Sequence, residues 1–90
     1  MNRKEFLEKV GATVDGQRED DYGAPEQTLK RIASLWGTYL GTIVRPGDVA
    51  AMMALLKIAR LSQNIYHDDS WLDLAGYAAI GAEITSEDEA

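Results

Sequence analysis

Hydrophobic positions in this chain recur at intervals of three and four along most of its length, and nowhere alternate with polar ones over the length of a strand. The pattern predicts four helices. The first runs from about residue 3 to 14, with Phe6, Leu7, Val10 and Val14 on one side and Gly11 weakening its middle. The stretch from Asp15 to Pro25 is rich in Gly and Asp, ends in Pro, and reads as a loop. The second helix begins at Pro25 or Glu26 and ends at Leu40. Leu29, Ile32, Ala33, Trp36, Tyr39 and Leu40 share one face, Lys30 and Arg31 point away, and Gly41 suits a C-cap. Pro46 can occupy the first turn of the third helix, expected from Asp48 to Ser62, with Asp48 at the positive end of the helix dipole. After a short connection from Asn64 to Asp68, Asp69 or Ser70 can cap a fourth helix with a body from Trp71 to about Ile84. The acidic remainder is expected to fray. The fold class that follows is all-α, a four-helix single domain with the third and fourth helices as a central antiparallel hairpin. It divides into an N-terminal helix and loop (1–24), a helical core (25–84) and an acidic tail (85–90).

The two hairpin helices are apolar almost all the way round, and a chain of 90 residues has little interior in which to bury them. Part of that surface is therefore expected to face another copy, in an intertwined homo-oligomer. Charges inside such helices must pair or bind something. With the turn centred between Tyr66 and His67, Arg60 stands level with Asp73, and Lys57 with Gly76 and Tyr77. This register predicts an Arg60–Asp73 salt bridge. Lys57, Arg60 and Asn64 form one stripe and Asp69, Asp73 and Tyr77 the facing one. Gly76 allows close helix approach or leaves room for a ligand.

Composition narrows the classes. With 46% hydrophobic and 27% charged residues the chain is globular rather than disordered. Its formal charge of −6 opposes general affinity for DNA or RNA, which needs a basic surface. There is no cysteine and one histidine, so disulfides, thiolate zinc sites and multi-histidine metal sites are excluded. His67 reads as a solvated loop residue. The N-terminus lacks a signal-peptide core, and the run from Val49 to Leu56 is too short to span a bilayer. The expected location is the cytoplasm, without membrane association.

Several residues are candidates for binding. Lys57 and Arg60 can hold a phosphate, Arg through its fork of donors and Lys as a point charge, with Asp73 orienting them. The structural alternative is that they only fix helix register. Arg18 and Tyr22 lie in the first loop, where an Arg can reach a phosphate and an aromatic can stack on a base. They can equally balance nearby acids and plug the end of the bundle. Tyr77 offers a second stacking ring. Asp69 and Asp73, one turn apart, can hold Mg²⁺ through oxygen, or act as a cap and an ion-pair partner. Trp36 and Trp71 read as core, and Met52 and Met53 as packing.

Taken together, the residues resemble an uncharacterised helical domain family found mainly in bacteriophages and prophages. The pattern is Arg18-x-x-x-Tyr22-Gly23, Ile32-Ala33-x-x-Trp36, Asp48-Val49-Ala50, Lys57-x-x-Arg60 and Asp69-Ser70-x-x-Asp73-x-x-Gly76-Tyr77-Ala78. It covers about residues 16 to 83. More distantly, the chain is similar to phage nucleotide-modification-associated helical domains and to MazG-like nucleotide pyrophosphohydrolases. Those hydrolases carry four metal-binding acids, in a Glu-x-x-Glu pair and a Glu-x-x-Asp pair. Here the third helix offers Lys57 and Arg60 in place of an acid pair.

The resemblance implies a nucleotide ligand, and the departure favours binding over turnover. The leading expectation is a homo-oligomer that binds a small phosphorylated nucleotide through Arg18, Tyr22, Lys57, Arg60, Asp73 and Tyr77, without catalytic residues. In a phage setting it would sequester a host antiphage signalling nucleotide. One alternative is a MazG-like hydrolase using Mg²⁺ on Asp69 and Asp73. The other is a structural or interaction protein of a phage or prophage.

Overall fold

The computed structural model describes residues 1–15 and 24–88. Among them are four helices and no strand: α1 (Arg3–Asp15), α2 (Pro25–Leu40), α3 (Pro46–Gln63) and α4 (Asp68–Asp88). The all-α expectation holds. The loop expected between α1 and α2, with Arg18 and Tyr22, lies outside the described residues.

Local chemistry sets the helix ends. Gly41 takes a left-handed conformation at φ 69° and its N–H donates to the Gly37 carbonyl at 2.9 Å, closing α2 where a side chain would be strained. Pro46 opens α3 two residues before the expected start. The Asp48 carboxylate reaches back to accept the Arg45 N–H at 2.9 Å, satisfying a donor that precedes the first turn. At its other end α4 continues to Asp88, four residues past the expected stop. Thr85 and Ser86 return their hydroxyls to the Gly81 and Glu83 carbonyls. Ile84 is buried there, so the last turns are anchored by packing.

α3 and α4 form the expected central hairpin, and their tightest contacts fix its register. A Cβ on Gly81 would stand 3.1 Å from the Ala50 Cβ, and one on Gly47 would stand 2.7 Å from the Thr85 Cγ2. With the Lys57–Asp73 pair, these contacts are symmetric about Ile65 and Tyr66. The centre expected from sequence, between Tyr66 and His67, lies about one residue further on. Gly76, expected to admit α3, instead faces α1: a Cβ there would meet Val14 at 3.6 Å. Close approach within the hairpin is the work of Gly81 and Gly47.

Among the described residues α1 packs on α4, and α2 packs mainly on α3. The core lies where α2 meets the hairpin, built from Leu29 and Ala33 of α2, Val49 and Ala50 of α3, and Ile84 of α4. Trp36, Ile80 and Met53 close around it, whereas Met52 is 41% exposed. The radius of gyration is 13.9 Å, against about 12 Å for a compact domain of this length. The molecule is open, with an apolar side of α3 uncovered.

Candidate functional site

The middle of the hairpin holds its inward charges. Lys57 lies two turns into α3 beyond Val49, on the side facing α4, because its position continues the buried row through Ala50 and Met53. Its Nζ meets the Asp73 Oδ2 at 3.1 Å, with side chains 12% and 27% exposed. The expected Arg60–Asp73 bridge is thus replaced by Lys57–Asp73. The physical reason is the shifted turn centre: it brings Asp73 level with Lys57 and leaves Arg60 nearer the tip, where its side chain is exposed. Arg60 makes no ion pair among the described residues.

Tyr77, one turn beyond Asp73, is half-buried, while Asp69, one turn before it, is exposed. Among the described residues no group of three or more His, Asp or Glu is placed to hold a metal, so the Asp69 and Asp73 pair has no third carboxylate near it there. The structure therefore brings Lys57 and Asp73 together, sets Arg60 and Tyr77 within a turn of them, and leaves Asp69 outside the cluster.

The tip of the hairpin contains a feature absent from the sequence reading. His67 Nδ1 lies 2.7 Å from the Ser70 hydroxyl and accepts the Ser70 backbone N–H at 3.2 Å. A backbone N–H can only donate, so Nδ1 carries no proton and the ring's N–H is on Nε2. His67 therefore caps α4, the role expected of Asp69 or Ser70, and Ser70 is buried at 1% exposure. The spacing His-x-x-Ser carried this signal, three residues being the reach of a capping side chain. Trp71, expected in the core, is 40% exposed and donates its indole N–H to the Ile65 carbonyl at 2.9 Å.

A cleft of about 170 Å³ lies where α1, α2 and α4 meet, lined by Val14, Pro25, Ile80 and Ile84 with Glu26 and Glu83. Its carboxylates disfavour an anion. At the start of α3, hydrogen bonds from Arg45 hold the Asp48 carboxyl below its ordinary value of 3.8. Among the described residues no helix is long and apolar enough to cross a membrane.

Fold and site define a small all-α domain whose helical hairpin holds the Lys57–Asp73 ion pair in its interior. Residues 5–85 match the family described as Domain of unknown function (DUF6378), and the chain belongs to that family. It is similar to the Gene 55 protein of Mycobacterium phage L5, 52% identical over 68 residues covering 74% of this chain and 44% of that protein. It is also similar to the Gene 55 protein of Mycobacterium phage D29, 40% identical over 82 residues covering 91% of this chain and 54% of that protein. The chain spans about half the length of these curated relatives. No solved structure matches it.

Proposed function

We propose that this domain binds a small phosphorylated nucleotide without turning it over, with Lys57, Arg60 and Asp73 as the polar anchor and Tyr77 as the neighbouring ring. The observation that carries the reading is the Lys57–Asp73 pair. A small domain gains little stability from a largely buried ion pair, since desolvation offsets much of the attraction, which leaves room for a role other than stability. Arg60 supports it further, being an exposed guanidinium one turn from Lys57 with its fork of donors available to a phosphate. Relatives encoded by mycobacteriophages support a role during infection, where sequestering a host signalling nucleotide would be useful to the phage.

The test is calorimetry and thermal melts against a panel of mono-, di- and cyclic nucleotides and ADP-ribose. A ligand at a hundred times its Kd stabilises by about 2.7 kcal/mol, a shift readily seen in a domain of this size. Arg60→Ala is expected to fold normally and to weaken binding roughly ten- to a hundredfold, the value of a charge-assisted hydrogen bond. A flat response across the panel would remove the reading. Turnover that needs Mg²⁺ and stops in Asp73→Asn would favour the hydrolase alternative instead.

A second reading, a non-enzymatic interaction module in which Lys57 and Asp73 only set helix register, is favoured by the uncovered apolar side of α3. It predicts that Arg60→Ala changes nothing and that no nucleotide shifts the melt.

A further inference from the structure

The side of α3 turned away from α4 carries Ala51, Met52, Leu55, Ile58 and Ala59, all exposed. Met52, Leu55 and Ile58 are 41, 63 and 49% exposed, and Leu56 beside them 45%. No charge interrupts this face between Asp48 and Ser62. It amounts to on the order of 400 Å² of apolar surface, the size of the largest patch on a typical monomer, which is often functional.

We propose that the occupant is a second copy of this chain, packed α3 against α3, antiparallel about Leu55. The pattern along the face carries the choice. Reading outward from Leu55 in both directions gives Met52 and Ile58, then Ala51 and Ala59, then Asp48 and Ser62. Each step pairs like with like: large apolar, small, polar. A two-fold interface sets one patch against itself, so Leu55 meets Leu55 and each alanine receives the other copy's alanine at a point of close approach. Across such an axis Ala51 meets Ala59 and Met52 meets Ile58, so no large side chain is set against a charge.

Charge agrees with the choice. Two chains of charge −6 repel, and between Asp48 and Ser62 this face adds no charge to that repulsion. Area is met in part. The α3 face supplies about half of the ~800 Å² that each partner gives to a standard interface. Tyr39 and Ile43, 89 and 88% exposed, stand at the end of α2 and in the link to the start of α3. The proposal is independent of the nucleotide reading.

The experiment uses the full chain. Light scattering at micromolar concentration is expected to give twice the monomer mass or an even multiple of it, and Leu55→Glu is expected to halve that mass while helical circular dichroism is kept. Because the chain lacks cysteine, one introduced thiol reports geometry directly. Leu55→Cys is expected to give a disulfide-linked dimer on mild oxidation, and Ser34→Cys, exposed on α2, only a trace. Should Leu55→Glu fail to fold, the thiol comparison decides by itself. A monomeric wild type overturns the proposal, as does an oligomer in which Leu55→Cys links no faster than Ser34→Cys.

Discussion

At the scale of single residues, two carboxylates on similar helices do different work because their surroundings differ. Asp73 faces Lys57 in the hairpin interior; Asp48 faces Arg45 at the surface, where the two side chains are 40% and 76% exposed. A double-mutant cycle between Lys57→Met and Asp73→Asn should give a coupling of about 0.5–3 kcal/mol in urea unfolding, as residues of one ionic contact do. The same cycle between Arg60→Met and Asp73→Asn should give none. Equal coupling in both cycles would restore the register expected from sequence. For Asp48 the readout is the dependence of stability on pH. Its folded-state pKa is lowered from 3.8 by the Arg45 hydrogen bonds. Its stabilising contribution is therefore complete above the unfolded value and lost as pH falls through the folded one. Melting curves of wild type and Asp48→Asn should differ most above pH 3.8 and converge in stronger acid.

At the scale of helices, the ends were legible in the sequence wherever backbone chemistry decides them. Gly41 and Pro46 are such cases, because a positive φ and a missing N–H act locally whatever surrounds them. The cap of α4 was misplaced: several polar residues compete there, and the choice of His67 depends on a ring orientation that packing sets. The far end of α4 was read as tail because Thr85 onward is polar, yet Ile84 holds those turns to the core. Register was the harder quantity. It rests on Gly81 against Ala50, a contact between two residues with almost no side chain and so almost no hydrophobic signal. Gly81→Val should force the helices apart and destabilise by about 1–3 kcal/mol, the usual effect of overpacking. Thermal unfolding will show it, and Ala50→Gly in the same chain should recover part of the loss. An unchanged melting temperature would mean that the helices are less close than they stand here.

At the scale of the whole molecule, the core is small and the exposed apolar surface large. Only seven hydrophobic side chains are buried among the described residues, against thirteen large ones that are exposed, the balance from which the α3 proposal starts. If copies associate through α3, the melting temperature should rise with protein concentration, since association stabilises only the folded chain. A melt independent of concentration over two decades would speak for a monomer. The same openness explains why the candidate site was only partly legible. Lys57, Arg60, Asp73 and Tyr77 stood out because charges and a ring interrupt apolar helices, but which cation meets the carboxylate depends on a shift of about one residue in the turn.

The sequence alone determined the all-α class, the four helices and the places where glycine and proline stop or start them, since periodicity and backbone sterics act over a few residues. Tertiary structure alone decided that Lys57 rather than Arg60 holds Asp73, that His67 caps α4, and that α2 leaves the outer side of α3 uncovered. Those outcomes depend on how closely separate helices approach, and small residues govern that distance without leaving a pattern along the chain.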